Sequence, residues 1–157
     1  MPIPDFVIEL RKMIGHHPLW LSGSTAVIFR GDEVLLIRRA DDGGWAPVTG
    51  IIDPGEEPAD AAVREAMEEA GVVIEVERLA SISTMDMLTY DNGDQAQYID
   101  HTFRCRHISG EPRADDDETT DARWFPVAEL PEMRTVFRER IESALEEDGP
   151  AQFRTTP

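Results

Sequence analysis

The sequence predicts a single domain of the α/β class, and three observations support this prediction. Three segments carry apolar residues at helical spacing, one near each end of the chain and one in the middle. Runs rich in β-branched and aromatic residues lie between these segments, bounded by glycine, proline and asparagine. A length of 157 residues, with 41% hydrophobic and 30% charged residues, fits one soluble domain with its own core.

Residues 4–14 are predicted to form a helix added before the main body of the domain. Gly15 ends its apolar pattern. The residues at helical spacing are Phe6, Val7, Leu10, Met13 and Ile14. Two β-rich runs follow, at residues 24–29 and 34–39, and the segment Arg30-Gly31-Asp32-Glu33 between them predicts a tight hairpin turn.

Residues 50–72 are predicted to form a loop and then a helix that runs from residue 58 to residue 70. Pro54 and Gly55 break regular structure in the loop, and Pro58 is well tolerated at a first helical position. Gly71 can adopt the positive φ that commonly ends a helix.

This helix is predicted to have one packing face and one acidic face. The packing stripe consists of Ala59, Ala62, Val63, Ala66 and Ala70. Glu65, Glu68 and Glu69 gather on the other side, where three like charges are costly unless a cation lies among them. Hard divalent cations prefer oxygen ligands of this kind. The alternative is a solvated acidic face in a very acidic protein.

The chain after this helix is predicted to form a β-meander. Strands are expected at residues 72–77, 79–87 and 97–108, and Asp91-Asn92-Gly93-Asp94 is a strong turn signal before the last of them. Cys105, the only cysteine, lies in an alternating run within that strand and is expected to be a buried thiol rather than a nucleophile.

Pro131 is expected to open a final helix. Its packing stripe consists of Met133, Val136, Phe137, Ile141, Ala144 and Leu145. We expect the domain to span residues 1–148, and residues 149–157 to form a disordered tail.

A specific motif links the loop and the central helix. It reads Gly50, five residues, Glu56, seven residues, Arg64-Glu65, an apolar residue, any residue, Glu68-Glu69, any residue, Gly71 and an apolar residue. Every fixed position of the Nudix box is matched, so the chain resembles the Nudix hydrolase superfamily. The order of strand, loop, Trp45-x-Pro47, Gly50 and box is also similar to that of Nudix proteins. The resemblance implies an α/β/α sandwich with a central mixed β-sheet.

The resemblance also implies a site for Mg²⁺ or Mn²⁺. The expected ligands are the side chains of Glu65, Glu68 and Glu69 and the main-chain carbonyl of Gly50. Many relatives have paired glycines where this chain has Thr49-Gly50, so the carbonyl donor stays open between these two residues. Arg64 lies one turn before Glu68 and can hold that carboxylate in orientation, while the resemblance gives Glu56 the role of holding Arg64.

A further carboxylate is expected in the acidic loop at residues 114–120. Nudix proteins often place one shortly before a strand that contains tryptophan, and Trp124 follows Glu118 here. The resemblance thus makes Glu118 a candidate general base or ligand of a second metal. Its competitors in the loop are Asp115, Asp116 and Asp117. The alternative is that the loop only contributes solubility.

The reaction implied by the resemblance is the Mg²⁺-dependent hydrolysis of a diphosphate linkage in a nucleoside diphosphate joined to another group. Nucleotide sugars or ADP-ribose-like compounds and nucleoside triphosphates rank close together as substrates. A catalytically silent, nucleotide-binding regulatory domain and an isopentenyl-diphosphate-isomerase-like relative are alternatives, although the complete box argues against both. Residues that could contact phosphate or a base, each with a structural alternative, are Arg38, Arg39, Trp45, Tyr90 and Tyr98.

Net charge and hydropathy limit the classes of molecule that the protein is expected to bind. The formal net charge of −17 would repel a phosphate backbone, so we expect a small-molecule substrate and no nucleic-acid partner. No apolar run approaches the roughly 20 residues of a membrane span, and the first residues lack the pattern of a signal peptide. We therefore expect a cytoplasmic protein without a membrane partner, and leave a homodimer open.

Overall fold

The computed structural model of the protein describes residues 3–114 and 118–155. The helices are α1 (Asp5–Ile14), α2 (Pro58–Ala70) and α3 (Thr135–Ser143), with a 3₁₀ turn at Val127–Glu129. The strands are β1 (Leu19–Arg30), β2 (Glu33–Arg39), β3 (Trp45–Ala46), β4 (Val48–Ile51), β5 (Val73–Thr84), β6 (Leu88–Thr89), β7 (Gln95–Ser109) and β8 (Thr119–Pro126). None of the helices in the described ranges is long and apolar enough to span a membrane.

The strands form one mixed sheet whose central path runs β3-β2-β1-β7-β5. β1 and β7 are parallel, and the other strand pairs are antiparallel. β4 pairs with the middle of β1, at residues 23–26, so that Gly50 lies opposite Ser24. The predicted hairpin is confirmed: Arg30 pairs with Glu33, and Gly31 has the positive φ of 62° that such a tight turn requires.

Successive residues of the central strands point to opposite faces of the sheet, and each face packs against one helix. Ile28, Leu35 and Ile37 belong to a buried cluster that includes Ala62 and Ala66 of α2. Val27 and Leu36 belong to a second cluster, which includes Ile141 and Ala144 of α3 and lies on the other face. The predicted α/β/α sandwich with a central mixed sheet is therefore confirmed.

The N-terminal helix packs at one end of this sandwich. Val7 of α1 is buried with Leu19, Leu21 and Ala96 from the start of β1 and of β7. The guanidinium of Arg11 donates to the carbonyl of Gln95 at 2.7 Å, which ties the helix to β7. The segment predicted at residues 4–14 thus folds as a helix that begins one residue later.

Two features of the second half differ from the predicted elements. The two strands expected at 72–77 and 79–87 are the single strand β5, because Glu77 is the extra residue of a bulge between Val76 and Arg78 and the strand continues past it. The last helix begins at Thr135 and not at Pro131, since Arg134 just before it still has an extended backbone.

The predicted disorder of residues 149–157 does not hold around Gln152. The Gln152 N–H donates to Ala80 at 2.8 Å, and its carbonyl accepts from the Ile82 N–H at 3.0 Å. β5 ends the path of the sheet, so its outer backbone groups are open to pairing with this segment. Cys105 is fully buried, as predicted, and burial raises the pKa of its thiol.

Candidate active site

Helix α2 turns two of its glutamates inward. Glu65 is 1% and Glu69 is 5% exposed, whereas Val63, predicted to pack, is 39% exposed. The two glutamates lie one helical turn apart and therefore share a face. The predicted division into an alanine-and-valine packing face and an outer acidic face is wrong on this point. Alanines are small enough for the helix to approach the sheet closely, so its neighbouring acidic positions are covered as well.

Strand β4 has room for these carboxylates because it carries a glycine at position 50. A Cβ atom at Gly50 would lie 1.9 Å from Oε1 of Glu65, so any other residue would displace that carboxylate. The Thr49 N–H lies 3.4 Å from Oε2 of Glu69, to which it donates. The backbone of Thr49 and Gly50, the two candidates for the main-chain metal donor, therefore lies against the two buried carboxylates.

Arg64 joins the helix to the preceding loop through all of its nitrogens. Nε and Nη2 donate to the two carboxylate oxygens of Glu56 at 2.8 and 2.9 Å. Nη1 donates to Glu65 at 2.6 Å and to Glu68 at 3.2 Å, and Nη2 also donates to the carbonyl of Ile51 at 3.0 Å. The hydrogen bonds to Glu56, the largest effect, raise the pKa of Arg64, and the same contact lowers the pKa of Glu56. The expected contacts of Arg64 with Glu56 and Glu68 are present, and the contact with Glu65 is additional.

One oxygen of Glu65 lacks a donor. Oε2 is buried and accepts no hydrogen bond from residues 3–114 or 118–155. Burial raises the pKa of Glu65 to about 7, although the neighbouring Arg64 opposes this shift. A buried carboxylate oxygen without a donor is costly unless a cation or a proton compensates it. The carboxylates and adjoining backbone thus fit a hard divalent cation by the chemistry of their donors.

The three glutamates of α2 do not form a ready coordination shell. Across the described part of the chain, no three Asp, Glu, His or Cys side chains are grouped closely enough to hold one ion. Arg64 instead lies between Oε1 of Glu65 and Oε2 of Glu68. The joint role of Glu65, Glu68 and Glu69 as metal ligands stays a prediction.

A cleft of about 290 Å³ opens beside β4. Thr49 and Gly50 form one wall, and the loop after β2 forms another. Of the residues predicted to act on or bind a substrate, the cleft is lined by Gly50, Arg39, Tyr90, Tyr98 and Glu118. Glu65 lies against Gly50, and Glu69 accepts from the Thr49 N–H. The two glutamates therefore lie behind the wall of the cleft that Thr49 and Gly50 form.

Arg39 connects the cleft to the acidic helix. Its Nη2 lies 2.5 Å from Oδ2 of Asp41, with which it forms an ion pair. Burial alone would lower the pKa of Arg39, but the hydrogen bond to Asp41 and the charges of Asp41, Asp42 and Glu69 raise it above its ordinary value. Arg39 thus remains a cation within the electrostatic reach of Glu69.

Arg38 and Trp45 lie away from the cleft. They are cross-strand partners on β2 and β3, and therefore project from the same side of the sheet, opposite to Arg39. The Trp45 ring packs edge-on against Phe125, with their centroids 4.8 Å apart. Arg38 donates to the carbonyl of Gly43. The prediction that these two residues contact substrate is not supported by their positions, and their structural alternatives account for them.

Tyr90 and Tyr98 both line the cleft, and their hydroxyl oxygens are 3.1 Å apart. Burial, followed by this hydrogen bond, raises the pKa of Tyr98. Glu118 is exposed, and its carbonyl accepts from the Ala40 N–H at 2.7 Å, which fixes its backbone beside the end of β2. The competitors Asp115, Asp116 and Asp117 lie outside the described residues.

A second buried charged cluster, which was not among the predicted site residues, borders the cleft. Arg140 of α3 is 3% exposed, and its Nη1 lies 3.2 Å from Oδ1 of Asp100. Nη1 also donates to the Thr25 hydroxyl at 3.0 Å, and that hydroxyl in turn donates to Asp100 at 2.8 Å. The Thr102 hydroxyl donates to the other Asp100 oxygen at 2.7 Å. Burial lowers the pKa of Arg140, an effect that Asp100 opposes.

One sequence signal could have identified Arg140. It lies three residues after Phe137 and four before Ala144, so a charged residue falls inside the apolar stripe of the last helix. A charged side chain at such a position needs a buried partner. The sequence offered no means of choosing Asp100 as that partner.

Comparison with known proteins identifies the family. The sequence model of the NUDIX domain matches residues 21–145. A MutT-like protein of Streptomyces ambofaciens is 32% identical over 135 residues, which are 85% of this chain and 82% of the relative. The NAD-capped RNA hydrolase NudC of Pseudomonas syringae pv. tomato is 33% identical over 130 residues, which are 77% of this chain. This chain spans only 42% of the length of that NudC protein.

A solved structure agrees with the sequence relatives. The crystal structure of a MutT NUDIX hydrolase from Burkholderia pseudomallei matches with a TM-score of 0.66 and 27% identity, covering 80% of this chain and 98% of that one. The matched residues 21–145 include the complete box, the cleft-forming strands and α3. The chain belongs to the Nudix hydrolase family.

Proposed function

We propose that the protein hydrolyses a diphosphate linkage in a small nucleoside diphosphate derivative, in a reaction that depends on a divalent cation. The observation that carries this proposal is the position of the cleft: buried carboxylates lie behind one wall, and arginine and tyrosine side chains line the others. A diphosphate needs both kinds of group, since its charges must be neutralised while its organic part is held in place.

The cation would be held by Glu65, Glu68, Glu69 and the main-chain carbonyl of Gly50 or Thr49. When bound, Mg²⁺ or Mn²⁺ neutralises charge on the diphosphate and makes a water molecule easier to deprotonate. Glu65 supports this assignment because its Oε2 is buried without a donor among the described residues. Arg64 acts as a positioning residue, because its bonds to Glu56 and Ile51 fix the guanidinium that holds Glu65 and Glu68.

The remaining cleft residues bind and orient the substrate. Arg39, Tyr90 and Tyr98 line the cleft. In this proposal Arg39 donates to phosphate oxygens, and the two tyrosines provide aromatic surface for the organic part. Glu118 lies on a loop apart from α2, so a cation bound at the box would not lower its proton affinity as strongly as that of the box carboxylates. It is our candidate for the group that accepts the proton of the attacking water.

The relatives support a reaction of this class. The NudC relative is named for the hydrolysis of NAD-capped RNA, and NAD is a dinucleotide joined through a diphosphate. The carboxylates of the box are all present in this chain, which favours an active enzyme over the silent nucleotide-binding domain.

The test is a product-resolved screen of nucleotide substrates with Mg²⁺ or Mn²⁺, run on the wild type, Glu69→Gln and Glu118→Gln. We expect the wild type to release a nucleoside monophosphate. A neutral amide is a weak ligand for a hard cation, so Glu69→Gln should lose most activity at saturating metal. Glu118→Gln should lower kcat by about 100-fold, the scale of losing a general base.

Glu132→Gln is the matched control for these substitutions, because Glu132 is exposed and does not line the cleft. Near-normal turnover by Glu69→Gln would remove Glu69 from the ligand set. No hydrolysis by the wild type with any nucleotide and either metal would favour the silent binding domain. If Glu118→Gln behaves like Glu132→Gln, the proton acceptor is another group.

A further inference from the structure

Arg140 carries hydrogen-bond donors that none of the described residues accepts from. Its Nη1 is occupied by Asp100 and Thr25. Its Nε and Nη2 are buried and have no hydrogen-bond partner in the described ranges of the chain. Buried N–H groups of a charged side chain are costly when unpaired, because they lose their hydration without gaining an acceptor.

The two spare donors lie on one edge of the guanidinium group. The N–H of Nε and one N–H of Nη2 are parallel, and together they form the side-on fork with which arginine binds two oxygens of one phosphate or carboxylate. Nη1, on the other edge, anchors the plane of the group to Asp100. The ion pair therefore fixes the orientation of the fork, and no acceptor among the described residues occupies it.

Two cavities border Arg140, and its neighbours indicate which one the guanidinium faces. One is the cleft beside β4, and the other, of about 390 Å³, lies between α3, β5 and the segment around Gln152. Asp100 and Phe137 line the cleft and do not line the other cavity. The Arg140 guanidinium pairs with Asp100 and lies 5.7 Å from the centroid of the Phe137 ring. The Nη1 edge of the guanidinium thus borders the cleft, and the fork lies on the opposite edge of the same planar group.

The Asp100–Arg140 pair lies near the wall of the cleft that Thr49 and Gly50 form. The position of a Cβ atom at Gly23 lies 3.5 Å from Oδ1 of Asp100 and 3.6 Å from the carbonyl oxygen of Gly50. Gly50 in turn lies directly against Glu65. Gly23 thus lies between the Asp100–Arg140 pair and the wall that covers the glutamates.

We propose that the Nε and Nη2 fork of Arg140 is a binding site for an anionic oxygen group of the substrate, with a phosphate as the best fit. The inference rests on the proposed function for its link to substrate. It favours a nucleoside triphosphate, or another substrate with a charged group beyond the cleaved linkage, over a nucleotide sugar, whose distal part is neutral. A neutral hydroxyl would satisfy one donor and leave the second unpaired.

The site can be tested without metal or turnover. In EDTA, the melting temperature of the protein is measured with and without inorganic phosphate, at matched ionic strength with chloride. Wild type should be stabilised by phosphate through mass action. Arg140→Lys keeps a charge for Asp100 but lacks the fork, so its melting temperature should not rise. Arg138→Lys is the control, because Arg138 is on the same helix and lines neither cavity.

A measurement on the wild type alone covers the case in which Arg140→Lys does not fold. Phosphate titrated into ¹⁵N-labelled protein should shift one arginine Nε–H signal far more than the others. An equal rise in melting temperature for wild type and Arg140→Lys, or no selectively shifted arginine signal, would overturn the proposal.

Kinetics then connect the site to the substrate. Arg140→Lys should raise KM for nucleoside triphosphates by about 10-fold to 100-fold, the scale of a lost charged hydrogen bond, and leave KM for UDP-glucose unchanged. A wild type that hydrolyses nothing, yet is stabilised by phosphate only when Arg140 is intact, would reject the proposed function and retain the anion site. Equal KM changes for both substrate classes would reject the assignment to a distal phosphate.

Discussion

Arg64 on α2 and Arg140 on α3 are both tied to carboxylates, but their surroundings differ. Arg64 on α2 uses Nε, Nη1 and Nη2, with bonds to Glu56, Glu65, Glu68 and the backbone of Ile51. Arg140 on α3 is more deeply buried, and within the described part of the chain only its Nη1 has partners. A saturated arginine has no donor left for a ligand, so Arg64 positions other groups. An arginine with a free, oriented fork is suited to bind one.

The two regions also differ in the solvent exposure of their charged side chains. The side chain of Glu68, one partner of Arg64, is 46% exposed, so part of that network is screened. Arg140 and Asp100 are both almost fully buried, and each depends on the other for compensation. Removing a partner should therefore cost more stability in the α3 cluster than in the α2 network.

The largest expected effect is that of Asp100→Asn, which leaves the buried Arg140 without an opposite charge. We expect the free energy of unfolding to fall by about 3–5 kcal/mol, measured by urea denaturation at pH 7. Combining it with Arg140→Met should recover part of this loss, because no buried charge then remains. A loss below about 1 kcal/mol for Asp100→Asn would mean that the ion pair does not hold the cluster together.

Glu56→Gln should have an intermediate effect, because Arg64 keeps its other acceptors. Losing a charged, two-point hydrogen bond should lower the free energy of unfolding by about 2 kcal/mol at pH 7. Arg64 depresses the pKa of Glu56 below its ordinary value of 4.5 in the folded protein. The stabilisation is therefore present above pH 4.5 and is lost as the pH falls through the folded-state pKa.

The pH dependence supplies the control for this variant. Stability curves of wild type and Glu56→Gln should converge below pH 4.5, where the wild-type carboxylate takes up a proton. Curves that stay parallel down to low pH would show that the loss comes from packing and not from the charge of Glu56.

The contrast between the two arginines explains what the sequence could predict. Glu56, Arg64 and Glu68 lie on one loop and one helix, so their contacts follow from local spacing and from the box motif. Arg140 bonds to Thr25, which is 115 positions away in the chain. No periodicity encodes such a contact, because it depends on how α3 is placed over the sheet.

The helical pattern did not predict the burial of Glu65 and Glu69, for a related reason. A helical projection separates polar from apolar positions, but it does not show how close the helix comes to its neighbours. The burial of Glu65 requires Gly50, on a different element, to lack a side chain. Likewise, strand alternation distinguishes Arg38 from Arg39 only once the side of the sheet that borders the cleft is known.

The smallest effect on stability is expected for Glu68→Gln, and it separates the two tasks of the α2 network. Glu68 is the most exposed partner of Arg64, and its bond of 3.2 Å is the longest that Nη1 makes to a carboxylate. Exposed pairs of this kind contribute little, so the free energy of unfolding should change by less than about 0.5 kcal/mol. If Glu68 also binds the cation, hydrolysis should still fall by about 10-fold or more, with a higher metal concentration needed for half-maximal rate. Urea denaturation and a metal titration of the hydrolysis rate measure the two effects on the same variant. A fall in stability with normal metal dependence would assign Glu68 to the support of Arg64 and remove it from the metal ligands.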